Sequence, residues 1–253
     1  MRYFIYISYF GTAYSGWQIQ KNAITVQQVV EAALSKLLST PVSVSGSSRT
    51  DKEVHAAQQV AHFNLIAPID PAYLIYKVNR ILPSDISITA MRPVVDGAHA
   101  RFDACYRRYA YTIVTQKDPF YRDRAIWLRR IPPLALLNQI ADLFAVQADF
   151  EFFSKITDST KRFICNIEEA FWMQIDQKIV FQIKADRFLR GMVRTIVGTI
   201  LKTATGKMDV TALEQLIKHK PAVRPMLTLV PPHGLTLVEV GYPETLFIKE
   251  NES

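Results

Sequence analysis

The order of alternating and helical segments is the feature of this sequence that most constrains its fold. Residues 2–10 alternate and are rich in aromatic and β-branched side chains, which predicts a strand. Helically spaced apolar residues begin after Thr25, and Gln28 completes a capping-box pattern with it. The remaining segments of this half predict strand, strand, helix and strand, at 42–46, 58–64, 70–81 and 86–92.

The second half of the chain repeats this order. A strand is predicted at 107–115, and helices at 133–147, 188–203 and 210–219; a hairpin over 163–175 and 178–185 turns near Asp176-Gln177, and a strand closes at 235–240. Both halves therefore have the ferredoxin-like order β-α-β-β-α-β. The sequence predicts an α+β fold with an N-terminal lobe at 1–100 and a C-terminal lobe at 101–253. Because exposed strand edges invite pairing, the two sheets can join into one.

Charge and cysteine content narrow the class of protein. The chain carries 30 Lys and Arg against 23 Asp and Glu, a net charge of +7, and the excess is concentrated in residues 101–130 and 184–207. Such patches suit a polyanionic partner, although a basic surface kept for solubility explains the charge equally well. Two cysteines are too few for a disulfide framework or a four-thiolate zinc site. With no export signal and no membrane-spanning stretch, we expect a soluble cytoplasmic protein.

Several common enzyme classes are excluded by their missing motifs. The sequence contains no phosphate-binding loop, no dinucleotide fingerprint, no nucleophile elbow and no H-E-x-x-H helix. The five histidines show no metal-like spacing with each other or with a cysteine. We therefore expect neither a catalytic metal nor a stored cofactor.

Three polar segments are candidates for function. The loop 45–56 places the Asp51 carboxylate near the Arg49 guanidinium, a pattern that suits a nucleophile but is far more typical of a solvated turn with a surface ion pair. In strand 107–115, Tyr109 and Tyr111 share one face, where they could stack a base or simply pack in the core. In the helix predicted from 188, one face carries arginines that are either solvated or paired with an anion: Arg187, Arg190 and Arg194.

Together these segments resemble the TruA family of tRNA pseudouridine synthases. The resemblance runs in order from residue 14 to residue 242, nearly the whole chain. The matching motifs are Tyr14-Ser15-Gly16-Trp17-Gln18; Arg49-Thr50-Asp51 with Val54-His55-Ala56; Ala100-Arg101-Phe102-Asp103-Ala104 with Arg108-Tyr109-x-Tyr111; Met192-Val193-Arg194 with Val197-Gly198; and Pro232-His233-Gly234-Leu235.

The resemblance implies a two-lobed enzyme, usually a homodimer, with one antiparallel sheet and an active-site cleft between the lobes. Family members isomerise uridines 38 to 40 of the tRNA anticodon stem-loop to pseudouridine, without metal or organic cofactor. Carried over, Asp51 is the catalytic aspartate, Tyr109 stacks on the uracil and Arg194 is the basic partner of Asp51. Arg49 helps to evict the target base. RNA contacts are also expected from Arg101, Arg108 and Arg190.

The sequence departs from the family pattern around two of these motifs. Ser48 replaces a glycine, Lys52-Glu53 replaces Ala-Gly, and Gly191 stands where many relatives carry histidine. A glutamate adopts positive φ less readily than glycine, so the loop after Asp51 could differ. Three rival functions are a noncatalytic RNA-binding or chaperoning protein on the same fold, a synthase with another tRNA target position, and a nucleoside hydrolase that releases uracil.

Overall fold

The computed structural model describes residues 1–155, 162–219 and 225–248. The chain forms two compact units, one of residues 1–105 with 237–253 and one of residues 106–236. The predicted lobe division at residues 100 and 101 remains a prediction. The α+β class and the mostly antiparallel strand pairing are confirmed. No helix within the described ranges is long and apolar enough to cross a bilayer.

The first unit has the predicted order of elements. It contains β1 (Arg2–Tyr9), α1 (Val26–Leu38), β2 (Ser45–Gly46), β3 (His55–Asn64), α2 (Pro71–Asn79) and β4 (Ile86–Val94). Strand β1 pairs antiparallel with both β3 and β4, and β2 pairs with β3. Thr25 caps α1 by accepting the Gln28 N–H, and Asp70 caps α2 by accepting the Ala72 N–H. Both helices therefore begin where the sequence predicts.

The second unit is built around an antiparallel hairpin. Its elements are β5 (Tyr106–Val114), β6 (Ile126–Trp127), α3 (Leu134–Asp142), β7 (Gln147–Asp149), β8 (Ile164–Ile175), β9 (Lys178–Ala185), α4 (Met192–Ala204) and α5 (Val210–Lys218). Strand β9 pairs antiparallel with β5 and β8, while β7 pairs with β8 and the short β6 runs parallel to β5. The hairpin turns at the predicted place, with Asp176 at a positive φ of 54°. The last strand, β10 (Leu235–Gly241), begins at the end of this unit and continues into the first.

Two predicted helix boundaries are wrong. Helix α3 was expected to reach Gln147 but ends at Asp142, because the chain turns there and Gln147 pairs with Asn166 in the sheet. Helix α4 was expected to begin at Phe188 but begins at Met192. Gly191 precedes it with a φ of +72°, which a right-handed helix cannot contain. Arg187 and Arg190 therefore do not share a helix face with Arg194.

Candidate active site

The loop that carries Arg49 and Asp51 joins β2 to β3, and its first residues are fixed by a buried glutamine. Gln59 of β3 is completely buried. Its Oε1 accepts the Ser47 hydroxyl at 2.6 Å and the Ser48 N–H at 3.3 Å, and its Nε2 donates to the Ser48 carbonyl at 2.8 Å. These bonds satisfy the buried polar groups and hold the loop start in a single conformation.

The centre of the loop is held through Thr50. The hydroxyls of Thr50 and Tyr9 are hydrogen-bonded at 2.7 Å, and the Thr50 carbonyl accepts the Trp17 N–H at 3.2 Å. The Val54 N–H donates to the Asp51 carbonyl at 3.2 Å and closes a turn. Thr50 is buried, Arg49 is exposed and Asp51 is half-buried. The side chains of Arg49 and Asp51, on either side of Thr50, are therefore attached to a backbone that these hydrogen bonds hold in place.

The Tyr14–Gln18 motif braces this loop directly. The Tyr14 carbonyl accepts the Glu53 N–H at 3.2 Å. Gly16 has a φ of +89°, and a Cβ built on it would lie 2.5 Å from the Thr50 carbonyl oxygen. Only glycine can bring the backbone this close to the loop. The first two family motifs therefore form one structural element.

We expect Gly16→Ala to destabilise the protein more than Gly97→Ala. Both glycines have a φ near +90°, but a Cβ on Gly97 meets nothing within 4 Å. The unfavourable φ costs about 1–2 kcal/mol at either position. The clash with Thr50 adds roughly 1–3 kcal/mol at Gly16 alone. Chemical denaturation of both variants measures the difference, and equal losses of unfolding free energy would show that Gly16 does not brace the loop.

Glu53 adopts the backbone conformation that glycine favours. Its φ is +65°, in the left-handed region. The side chain makes an ion pair with Lys52 at 3.5 Å. Because Lys52 is largely exposed, this pair contributes little to stability. Although glutamate stands here in place of glycine, the backbone at this position still adopts the left-handed conformation.

The two tyrosines of β5 share one face, as alternation predicts, and both are mainly buried. Tyr111 is fully buried, and its hydroxyl donates to the Pro231 carbonyl at 2.8 Å. Burial raises the pKa of Tyr111 far above its ordinary value. Tyr109 is 8% exposed and packs edge-to-face on Phe188, with ring centroids 5.2 Å apart. Tyr111 is therefore a core residue, and Tyr109 is buried almost as deeply.

Arg108 lies on the opposite face of β5 and is held by Glu169. Its Nη1 and Nη2 donate to the two carboxylate oxygens at 2.7 and 3.2 Å. These hydrogen bonds are the main reason that the pKa of Glu169 lies below its ordinary value. The sequence carries no signal for this partner, 61 positions away. Phosphate binding by Arg108 stays a prediction, and a phosphate would have to compete with Glu169.

Arg194 lies in the first turn of α4 and ties that helix to the segment 228–234. Its Nε donates to the Val230 carbonyl at 2.7 Å, and the Val230 N–H returns to the Arg194 carbonyl at 3.4 Å. A Cβ on Gly198 would lie 2.2 Å from the Thr228 carbonyl oxygen, and one on Gly234 would lie 2.8 Å from the Tyr111 ring. The Met192–Gly198 motif therefore packs on residues 228–230, which lead into the last motif, and Gly234 of that last motif packs on β5.

Arg101 is an exposed residue on a well-ordered turn of the first unit. The His99 N–H donates to the Asp103 carboxylate at 2.7 Å, and the Ala100 N–H donates to His62 Nδ1 at 3.1 Å. Burial, helped by the neighbouring His99 and Arg2, lowers the pKa of His62 to about 4. His62 is therefore neutral near pH 7 and accepts this bond.

The seven predicted site residues divide between the two units. Arg49, Asp51 and Arg101 belong to the first, and Arg49 and Asp51 share one loop; Tyr109, Arg108, Arg190 and Arg194 belong to the second. Arg190 is exposed just before α4, and its carbonyl accepts the Lys155 N–H at 2.8 Å. The chemical roles of all seven remain predictions. Sequence reasoning missed the residues that position them, chiefly Gln59, Tyr9 and Glu169.

Comparison with known proteins identifies the family. A family model described as tRNA pseudouridine synthase matches residues 5–103 and 140–243. The chain is 44% identical over 251 residues to tRNA pseudouridine synthase A of Parabacteroides distasonis, which covers 99% of each chain. It is also 44% identical over 251 residues to tRNA pseudouridine synthase A of Porphyromonas gingivalis, with 98% of this chain and 99% of that one covered. The family model spans most of the chain and the relatives match over nearly its full length, so the chain belongs to the tRNA pseudouridine synthase family, whose members are isomerases.

Proposed function

We propose that this chain converts uridines 38 to 40 of the tRNA anticodon stem-loop to pseudouridine, with Asp51 as the catalytic carboxylate. The observation that carries the proposal is the braced loop around Asp51. Gln59 holds the start of the loop, Thr50 holds its centre, and the Asp51 carbonyl accepts the Val54 N–H. A catalytic group needs such a rigid support, because a small displacement from the reacting atom lowers the rate steeply.

The chemistry of the reaction assigns a role to the carboxylate. The glycosidic bond between N1 of uracil and C1′ of ribose breaks, the uracil rotates, and C5 bonds to C1′. C5 then loses its proton and N1 gains one, so that the product is an isomer of the substrate. No electrons are gained or lost overall. The Asp51 carboxylate either attacks the ribose or assists formation of a glycal, and both routes need an ionised oxygen close to the sugar.

We propose that the second unit supplies the groups that hold the base and balance the charge of Asp51. Tyr109 provides an aromatic ring on a rigid strand, and an aromatic ring can stack on an unpaired uracil. Arg194 is half-buried at the start of α4 and carries a charge that suits pairing with a carboxylate. In this proposal Arg101 and Arg190 contact the RNA from exposed positions.

Eviction of the target base is the role proposed for Arg49. The side chain is exposed, two residues before Asp51, on a backbone that Thr50 holds in place. A guanidinium can fill the gap left by a flipped base and can bind neighbouring phosphates, which a lysine does less well. Flipping a stacked base costs on the order of a few kcal/mol, and less when the base is unpaired.

We expect Arg49→Ala to impair conversion of a uridine that is paired in the stem and to recover partly on a mismatched substrate. Asp51→Asn should show no such recovery, because its defect lies in the chemistry. Single-turnover conversion of paired and mismatched anticodon stem-loops measures both effects. An equal defect of Arg49→Ala on the two substrates would exclude the eviction role and leave Arg49 as an electrostatic partner of Asp51.

The finer features of the proposal are an active homodimer, a cytoplasmic location and the 38–40 target. They rest on the resemblance to the family. A synthase that acts at another tRNA position would give pseudouridine elsewhere in the same tRNA, and a hydrolase would release free uracil. Position-resolved mapping together with analysis of released bases distinguishes the three outcomes.

A further inference from the structure

Two large aromatic side chains project into solvent from the segment 117–130, which we call the basic aromatic loop. Phe120 is 87% exposed and Trp127 is 55% exposed. The segment is nevertheless well ordered. Asp118 accepts the Phe120 N–H at 2.8 Å, and β6 pairs with the end of β5 so that Trp127 lies beside Val114. The indole N–H donates to the Thr115 carbonyl at 3.3 Å. The two aromatic rings are therefore exposed to solvent although the backbone that carries them is held in place by hydrogen bonds.

The charge of the basic aromatic loop selects a polyanionic partner. Its five cations outnumber its two carboxylates: Lys117, Arg122, Arg124, Arg129 and Arg130 against Asp118 and Asp123. Asp123 is paired with Arg122 at 3.0 Å, and Asp118 caps the turn at Phe120. Within the described part of the chain, no ion pair is formed by Lys117, Arg129 or Arg130. An apolar protein surface would not match these charges, whereas phosphates would.

A cavity of about 200 Å³ lies between this loop and the turn of the β8–β9 hairpin. It is lined by Gln116, Asp118 and Tyr121 from the loop side and by Gln177 and Lys178 from the hairpin. The Lys178 ammonium lies 5.6 Å from the centre of the Tyr121 ring. Amide, carboxylate and ammonium groups beside an aromatic wall suit the edges of an unpaired base.

The loop is distant from the proposed catalytic tyrosine. Tyr109 and Thr115 are six residues apart along β5 and the residue that follows it. At about 3.3 Å per residue, this separation is roughly 20 Å. Nucleotides bound by the loop are therefore not the target uridine.

From these observations we propose that the basic aromatic loop is a second RNA-binding surface, which stacks unpaired tRNA bases on Phe120 and Trp127 and binds adjacent phosphates through Lys117, Arg129 and Arg130. The inference rests on the proposed function, since it assigns the RNA to a tRNA substrate. We assign this contact to tRNA nucleotides outside the anticodon stem-loop.

The aromatic part of the surface is tested with Phe120→Ala and with the double variant Phe120→Ala/Trp127→Ala. Each alanine substitution removes the stacking of one base, and each loss should raise the Kd for full-length tRNA by roughly 5-fold or more. The Kd for the isolated stem-loop and kcat at saturating tRNA should stay unchanged. Trp127→Phe, which keeps a stacking face, should bind like the wild type. Ile66→Ala, at a fully exposed apolar residue of the first unit, is the matched control.

The charged part of the surface is tested by salt dependence. Arg129→Gln/Arg130→Gln should reduce the slope of log K against log salt by about 1.4–1.8, at about 0.7–0.9 per phosphate contact. Arg122→Gln, whose guanidinium is paired with Asp123, should change the slope much less.

Three results would overturn the inference. The first is an unchanged tRNA affinity in the alanine variants, and the second is an equal loss for tRNA and stem-loop. The third is a change of oligomeric state with tRNA affinity intact, which would make the loop a protein interface. Failure of the proposed function is recognised separately, because a wild-type protein without pseudouridine product can still be assayed for tRNA binding.

Discussion

Replacing Asp51 by Asn is expected to abolish pseudouridine formation while tRNA binding survives. The amide is nearly isosteric with the carboxylate, but it is neutral and cannot act as the nucleophile or base that the reaction needs. Loss of a catalytic nucleophile lowers turnover by about 10³-fold or more. Removing a negative charge should not weaken attraction to phosphates, so the Kd for tRNA should stay the same or fall.

The control for this variant is Asp96→Asn, at an exposed carboxylate of the same unit. It should keep wild-type turnover. Single-turnover product formation and filter binding of tRNA measure both properties of both variants. Turnover of Asp51→Asn within tenfold of the wild type would remove Asp51 from the chemistry.

The second large effect is expected for Arg194→Leu, which should lose both stability and nearly all activity. The substitution leaves the Val230 carbonyl without the Arg194 Nε donor. An unsatisfied group of this kind costs about 1–3 kcal/mol of unfolding free energy. If Arg194 also pairs with Asp51 as proposed, the loss of that cation leaves the catalytic carboxylate without its partner.

Arg190→Leu is the matched control, because Arg190 is exposed and lies just before the same helix. Its melting temperature should stay close to that of the wild type, although RNA affinity should fall. A wild-type melting temperature together with wild-type turnover in Arg194→Leu would show that neither the bond to Val230 nor a pairing with Asp51 contributes to stability or catalysis.

A double-mutant cycle tests the proposed pairing of Asp51 with Arg194. If the two residues act on the same step, Asp51→Asn/Arg194→Leu should be little slower than Asp51→Asn alone. Independent roles would instead multiply the two rate losses. The rate measurements report the catalytic contribution of Arg194. The contribution of its bond to Val230 is measured separately, as the loss of unfolding free energy in Arg194→Leu alone.

The elements that the sequence predicts well are those with local signals. Thr25 and Asp70 mark helix starts because their side chains accept nearby backbone N–H groups, and both caps are present. The start of α4 was misplaced because Phe188 and Leu189 continue the apolar spacing of the helix. The backbone at Gly191, with its φ of +72°, interrupts that spacing without changing the apolar pattern. Strands of two or three residues, such as β6, are too short to show a period.

The candidate site was predictable only as a set of motifs. The spacing of the motifs along the chain does not reveal that the Thr50 carbonyl leaves no room for a side chain at Gly16. Nor does it reveal the hydrogen bond from Arg194 to Val230. Such contacts join residues far apart in sequence, and neither partner has a local pattern that requires the other. Tyr111 illustrates the limit: alternation places it beside Tyr109, but its complete burial depends on Pro231 and Gly234.

The most direct test of the central proposal is position-resolved mapping of pseudouridine in tRNA from a strain that lacks this chain. Complementation with the wild-type chain should restore pseudouridine at positions 38 to 40, and complementation with Asp51→Asn should not. Pseudouridine that persists at these positions in the deletion strain, or that Asp51→Asn restores, would contradict the proposed function.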